Sequence, residues 1–121
     1  MRRLYDETKD HARFLLVYVR EAHAADEWVM PDNKESGLHF AQPTSHSARI
    51  DAAECCVEDL SLDMPTVVDG LDDAVSRAYG AWPDRLYVIG PDGRVAYQGG
   101  VGPFGFKPNE VRAFLRDRYG F

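Results

Sequence analysis

Hydrophobic residues form one unbroken run near the start of the chain, residues 14–19, with the sequence Phe-Leu-Leu-Val-Tyr-Val. A run of this length without polar alternation predicts a strand that is covered on both faces, as in the parallel sheet of an α/β domain. Four residues with reactive or aromatic side chains follow it, namely Glu21, His23, Asp26 and Trp28. Because open α/β sheets bind their ligands at the carboxyl ends of strands, this segment predicts a functional site.

Apolar residues at helical spacing predict helices over residues 2–12, 47–60 and 71–79, and a last helix that begins at Pro108. Gly80 is expected to end the third helix in the left-handed conformation. The inner face of the second helix is predicted to consist of Ile50, Ala53, Val57 and Leu60, with Cys56 at its margin and Cys55 pointing outward.

Further short apolar runs predict strands at residues 65–69 and 85–89. The second of these is followed by a turn at residues 90–93 and by a returning strand at residues 94–98. Residues 29–44 are rich in turn-forming side chains and are expected to form a long surface loop.

Two parallel units followed by a β-hairpin and a terminal helix describe a thioredoxin-like fold, provided that one more strand precedes Met1. We therefore expect a single α/β domain, residues 1–121, with a mixed sheet flanked by helices that lacks its N-terminal central strand. In this fold the proline before the hairpin is usually cis and faces the active site. Pro83 occupies that position, with Trp82 before it.

Composition narrows the classes of function. At 121 residues the chain is long enough for one domain with a modest core. A net charge of −6 and a pI near 5.1 argue against binding to nucleic acid, since no basic stripe is available to contact phosphates. The longest apolar run is too short to cross a bilayer, so a cytoplasmic protein without a membrane partner is expected.

Glu21 and His23 are the strongest candidates for chemistry. A histidine can exchange protons near neutral pH, and a neighbouring carboxylate can fix its tautomer. The simpler alternative is a loop histidine that forms a hydrogen bond with the backbone. A metal site made of Glu21, His23 and Asp26 would need further ligands at suitable spacing, and none is predicted.

Other reactive residues give weaker signals. Cys55 and Cys56 are sequence neighbours inside a predicted helix, whereas redox-active thiols favour helix N-termini or Cys-X-X-Cys motifs. His39 and His46 belong to the loop region and are expected to be solvated. Residues 100–105 match the letters of a dinucleotide fingerprint, but they follow a strand near the C-terminus and are interpreted as a tight loop.

Three ordered segments together resemble the iodothyronine deiodinases and their bacterial relatives. The first is the apolar run followed by Glu-Ala-His-x-x-Asp-x-Trp at residues 21–28. The second is residues 79–89, and the third is residues 97–106, followed by a similar stretch at residues 110–115. The likeness covers essentially the whole chain.

The resemblance implies a thioredoxin-like fold close to the peroxiredoxins and reductive chemistry at a thiol or selenol. In that family a cysteine or selenocysteine attacks iodine on an aromatic ring, and a thiol reductant serves as co-substrate with no other cofactor. Glu21 and His23 would then transfer protons and bind the phenol of the ring. Asp26, Trp28, Trp82 and Pro83 would contact the substrate, and a homodimer can form.

The chain also departs from the family pattern. The family's nucleophile lies upstream of the first predicted helix, so these residues are not expected to contain it. Met64 stands where many members have a cysteine, Pro43 stands where the vertebrate members have a histidine, and the membrane anchor of the vertebrate members is not expected here.

Three hypotheses follow. The first is a deiodinase-like oxidoreductase whose thiolate or selenolate attacks a halogen, a peroxide or a disulfide. The second is a non-catalytic thioredoxin-like module that binds an aromatic ligand or a partner. The third is redox activity of Cys55 and Cys56.

The expected missing strand makes a structural prediction. In a thioredoxin-like sheet it would lie between residues 14–19 and residues 85–89. We therefore expect either a gap or an improvised pairing between these two strands, or a strand that another chain supplies.

Overall fold

The computed structural model describes residues 1–22 and 42–121, and within them helices and strands alternate as the sequence predicts. In chain order they are α1 (Arg2–Thr8), β1 (Leu16–Tyr18), α2 (His46–Asp59), β2 (Thr66–Val68), α3 (Ala74–Tyr79), β3 (Tyr87–Ile89), β4 (Val95–Gln98) and α4 (Pro108–Tyr119). This order confirms the mixed α/β class. No helix among the described residues is long and apolar enough to cross a membrane.

The described strands form two small sheets. β1 pairs in parallel with β2, in the register Leu16 to Thr66, and β3 pairs antiparallel with β4 through a bulge next to Val88. The hydrophobic run that contains β1 is only partly covered, since the side chains of β1 are half-buried and Leu15 is 61% exposed. The expectation of a strand buried on both faces is therefore wrong for the described part of the chain.

No hydrogen-bonded pairing joins the two described sheets. On the side of β1 that faces β2, the Leu16 N–H donates to the carbonyl of Pro65, just before β2. The Tyr18 carbonyl accepts from the N–H of Asp69, just after β2. Val17 therefore directs its peptide groups to the opposite edge, which pairs with no described strand. This separation agrees with the expected gap, while the strand that would fill the gap stays a prediction.

The apolar core lies between the first and last helices. Leu4 of α1 packs with Val111 and Leu115 of α4, and these three side chains are buried. Partly buried side chains of the β3–β4 hairpin and its surroundings extend the cluster, among them Leu86, Val88, Tyr97 and Phe114. As predicted, Pro108 is the first residue of the last helix.

Helix α2 buries a different face from the predicted one. Ala53 is buried as expected, but Leu60 is 53% exposed and Ile50 and Val57 are only half-buried. Ala52 and the charged Arg49 are buried in their place, the latter only 3% exposed. The sequence pattern failed because a buried arginine can be satisfied by distant polar groups that hydrophobicity does not reveal.

Those polar groups lie after β2. The Arg49 Nη1 atom donates to the carbonyls of Asp69 and Gly70 at 3.4 and 2.7 Å, and to Asp73 Oδ1 at 2.9 Å. Asp69 is itself only 3% exposed. These contacts fix the segment after β2 against helix α2.

The Asp69 carboxylate determines where helix α3 begins. It accepts hydrogen bonds from the backbone N–H groups of Val75 and Ser76, at 3.1 and 2.8 Å, and from Gly70 at 2.9 Å. Val75 and Ser76 lie in the first turn of the helix, whose N–H groups have no partner inside the helix. The helix therefore starts at Ala74 and not at residue 71 as predicted, and it ends at Gly80 in the expected left-handed conformation.

Burial alone would raise the pKa of Asp69, but hydrogen bonds from the backbone of Ser76, Val75 and Gly70, together with the charge of Arg49, hold that pKa below its ordinary value. A carboxyl whose pKa is lowered by folding contributes stability above its unfolded-state pKa, which is about 4. The contribution is lost as the pH falls through the folded-state pKa.

We predict that Asp69→Ala lowers the free energy of unfolding by about 2–4 kcal/mol at neutral pH, because three backbone donors, one buried and two half-buried, lose their acceptor. Asp69→Asn should cost less, since one side-chain oxygen remains. Denaturant titration at neutral pH and at about pH 3 measures both effects. The difference from the wild type should shrink at the lower pH, and Asp51→Ala on the exposed side of α2 is the control. A loss that is equal at both pH values would contradict the ionised cap.

Candidate functional site

Glu21 lies just beyond the carboxyl end of β1 and is held from two sides. The phenol of Tyr18, the last residue of β1, donates a hydrogen bond to Glu21 Oε2 at 2.8 Å. The side-chain amide of Gln42 donates to the Glu21 backbone carbonyl at 2.5 Å. These two contacts fix the backbone and the carboxylate of Glu21, while the presence of a functional site at this strand end stays a prediction.

The surroundings of Tyr18 keep its hydroxyl protonated. Burial raises the pKa of Tyr18 well above its ordinary value, and the hydrogen bond to Glu21 and the charge of that carboxylate raise it further. The Cys56 thiolate would add to this effect, whereas Arg49 opposes it. Tyr18 is thus a hydrogen-bond donor across the neutral pH range, and its partner Glu21 is the acceptor.

Cys56 lies close enough to Tyr18 and Glu21 for the negative charge of Glu21 to act on its thiol. Burial raises the pKa of the Cys56 thiol, with further contributions from the charges of Glu21, Asp59 and Cys55. The thiol is half-buried, while its neighbour Cys55 is exposed, as predicted. A raised pKa keeps the Cys56 sulfur in the unreactive thiol form, which favours the interpretation of Cys56 as a small core residue, while Cys55 lies at the surface.

A second group of candidate residues surrounds the predicted cis-proline. The Trp82–Pro83 peptide bond is cis, as the sequence predicts, and the Trp82 side chain is 47% exposed. The next residue, Asp84, accepts a backbone hydrogen bond from Gly102 at 3.0 Å. Burial raises the pKa of the Asp84 carboxyl, which forms no hydrogen bond with any described residue.

The contact between Asp84 and Gly102 requires glycine. A Cβ atom at position 102 would lie only 1.6 Å from Asp84 Oδ1, so a larger residue would displace the Asp84 carboxylate from its present position. The Gly102–Pro103 bond is also cis, and residues 100–105 form the tight loop expected from the sequence. Asp84 was missed in the sequence analysis, although its position directly after the expected cis-proline was a usable signal.

The structure places some predicted site residues and not others. Glu21, Trp82 and Pro83 are described, but no hydrogen bond or ion pair among the described residues joins Glu21 to the other two. Their position at one rim of the sheet therefore stays a prediction. His46 begins helix α2 and is exposed. The predicted residues that lie outside the described part of the chain are His23, Asp26, Trp28 and His39.

We predict that Tyr18 ionises at a higher pH than an ordinary tyrosine, and that Glu21→Gln lowers its pKa because the negative charge is removed. A raised folded-state pKa means that the contribution of Tyr18 to stability is complete below about pH 10 and is lost as the pH rises through that pKa. The ultraviolet absorbance of tyrosinate, taken as the difference from Tyr18→Phe, measures the titration. Glu54→Gln on the exposed side of α2 is the control, and an identical titration in Glu21→Gln would contradict the pairing.

The chain matches known proteins over nearly its whole length. The family model for iodothyronine deiodinase matches residues 1–119. Type I iodothyronine deiodinase of Xenopus laevis is 38% identical over 116 residues, which are 96% of this chain and 44% of that protein. Thyroxine 5-deiodinase of Gallus gallus is 44% identical over 118 residues, 98% of this chain and 43% of that protein.

Type II iodothyronine deiodinase of Fundulus heteroclitus is 36% identical over 121 residues, 98% of this chain and 45% of that protein. The chain thus spans less than half the length of these relatives. The match nevertheless extends from the first helix to the last helix and includes both candidate groups of site residues. The chain belongs to the iodothyronine deiodinase family.

Proposed function

We propose that the chain forms the proton-transfer and ring-binding part of an oxidoreductase that removes iodine from an aromatic substrate. Membership of the deiodinase family supports the reaction class. The observation that supports the site most directly is the Tyr18–Glu21 hydrogen bond at the end of β1. It holds a carboxylate two residues before His23, where the pair can exchange a proton with the substrate.

The proposed reaction is a two-electron reduction. A thiolate or selenolate attacks the iodine atom, so that a bond between the nucleophile and iodine forms and the carbon–iodine bond breaks. The bonding pair stays on the ring carbon, which takes up a proton delivered through His23 and Glu21. A thiol reductant then releases iodide from the nucleophile and is itself oxidised.

The nucleophile is proposed to come from outside these 121 residues. The sequence contains two cysteines, and the pKa of the Cys56 thiol is raised by burial, which disfavours its thiolate form. Cys55 is exposed on the middle of helix α2 and lies opposite the buried face. A strand that carries the nucleophile between β1 and β3 would complete the thioredoxin-like, peroxiredoxin-related sheet.

The substrate is proposed to bind between the end of β1 and the cis-proline segment. The indole of Trp82 is exposed and can stack on an aromatic ring, with Trp28 and Asp26 contributing from the segment after Glu21. The carboxylate of Asp84, which has no hydrogen-bond partner among residues 1–22 and 42–121, can accept a hydrogen bond from a cationic part of the ligand. A cytoplasmic location and a homodimer remain part of the proposal.

A non-catalytic binding module is the competing function. The exposed Trp82 and the Asp84 carboxylate would serve such a module equally well, since both can contact a ligand without any reaction. Turnover separates the two functions, because only an enzyme needs Glu21 and His23 in addition to a binding surface.

We predict that the 121-residue chain alone releases no iodide from an iodinated phenol. The protein translated together with the codons that precede Met1 should release iodide in the presence of dithiothreitol. Glu21→Gln and His23→Gln should each lower this rate by about 100-fold or more, because general acid–base catalysis contributes about that much. Glu54→Gln is the matched control.

Two results would contradict the proposal. Turnover by the 121-residue chain that disappears in a Cys55→Ser, Cys56→Ser double variant would assign the chemistry to these thiols. Saturable binding of the iodinated phenol by the extended protein, without any turnover, would favour the binding module.

A further inference from the structure

Two loops meet beside the exposed Trp82. We name them the proline loop, residues 80–84, and the glycine loop, residues 99–105. Each loop contains a cis peptide bond before its proline, Trp82–Pro83 in the first and Gly102–Pro103 in the second. The proline loop follows helix α3, and the glycine loop follows strand β4.

One side chain contacts the first residue of both loops. The Arg85 Nε atom donates a hydrogen bond to the Gly99 carbonyl at 2.7 Å, and Nη1 donates to the Gly80 carbonyl at 3.3 Å. A backbone hydrogen bond lies next to the Arg85 contact with Gly99: the Gly99 N–H donates to the Leu86 carbonyl at 2.8 Å. The guanidinium therefore bridges the bases of the two loops.

The tips of the loops depend on this spacing. The Gly102 N–H donates to the Asp84 carbonyl at 3.0 Å, and the Asp84 carboxylate fills the space that a Cβ atom at position 102 would need. Because a hydrogen bond is lost when its donor and acceptor move apart, a separation of the loops at the base would weaken this contact at the tip. Trp82 and Asp84 belong to the segment between the Gly80 contact of Arg85 and the Gly102 contact of Asp84. Both contacts therefore help to position these two side chains.

Arg85 is itself held in one orientation. Its guanidinium carbon lies 5.6 Å from the centre of the Tyr87 ring. The Tyr87 hydroxyl donates to the Tyr79 carbonyl and accepts from the side-chain amide of Gln98 at 3.2 Å. A planar guanidinium stacked on an aromatic ring can direct two donors to two fixed carbonyls, which a lysine ammonium cannot do in the same way.

We infer that Arg85 is the positioning residue that sets the separation of the proline loop and the glycine loop, and thereby the presentation of Trp82 and Asp84. The contacts described above are the basis for the placement of the loops. Only the consequence for a bound ring rests on the proposed function.

The test is amide hydrogen exchange by NMR in Arg85→Lys. The Gly102 amide, which joins the two loops, and the Gly99 amide, which lies beside the Arg85 contact, should exchange faster by about tenfold or more, because local opening of the loops no longer has to break the Arg85 bridge. The Gly90 amide, bonded to the Arg94 carbonyl at the other end of the same hairpin, should change by less than about twofold. Arg94→Lys, exposed in that hairpin, is the matched control.

A second readout follows Trp82 alone, in a Trp28→Phe background. Acrylamide should quench Trp82 fluorescence more strongly after Arg85→Lys, and not after Arg94→Lys. If Arg85→Lys fails to fold, Arg85→Gln replaces it, since its uncharged amide can still reach one of the two carbonyls. Partial acceleration at Gly102 is then expected.

Unchanged exchange at Gly102 would overturn the inference, as would an equal acceleration at Gly90, which would mean general loosening of the hairpin. Neither readout needs a ligand or turnover. A negative result therefore refutes the role of Arg85 and leaves the proposed deiodination intact, while failure of deiodination leaves the exchange result standing.

Discussion

A single buried carboxylic acid residue, Asp69, connects the elements that surround the candidate site. Its N–H donates to the Tyr18 carbonyl at 2.8 Å, which extends the pairing of β1 and β2. Its carboxylate caps helix α3, and its carbonyl accepts from Arg49 of helix α2. Because Tyr18 then holds Glu21, the position of the candidate proton-transfer carboxylate depends on a polar centre at the end of the neighbouring strand, β2.

This dependence on polar contacts follows from the small apolar core. The buried hydrophobic residues are Leu4, Ala52, Ala53, Val111 and Leu115, as far as the chain is described. Arg49 is buried at a further cost, since its Nε atom has no hydrogen-bond partner in the described part of the chain. Removing one partner of a buried polar network lowers the free energy of unfolding by far more than an intact buried pair contributes to it. Arg49 and Asp69 therefore matter more for the geometry of the fold than for its net stability.

Local rules predicted the elements whose causes are local. The apolar run before Glu21 gave β1, the left-handed Gly80 ended α3, and Pro108 began the last helix. The buried face of α2 could not be predicted, because Arg49 is satisfied by carbonyls about twenty residues away. The start of α3 was missed for the same reason, since the Asp69 carboxylate caps it from outside the helix. Asp84 became a candidate only when its contact with Gly102 was known.

The most direct test of a shared site is titration of the protein with ortho-iodophenol, followed by the amide resonances of Glu21 and Ala22 at the end of β1 and of Asp84 and Gly102 in the two loops. A ligand that bridges the two groups should shift all four resonances with one common dissociation constant. Glu21→Gln and Trp82→Ala should each weaken that single constant. Shifts confined to one group, or two groups that saturate at different concentrations, would contradict a site formed jointly by the Tyr18–Glu21 pair and the cis-proline segment.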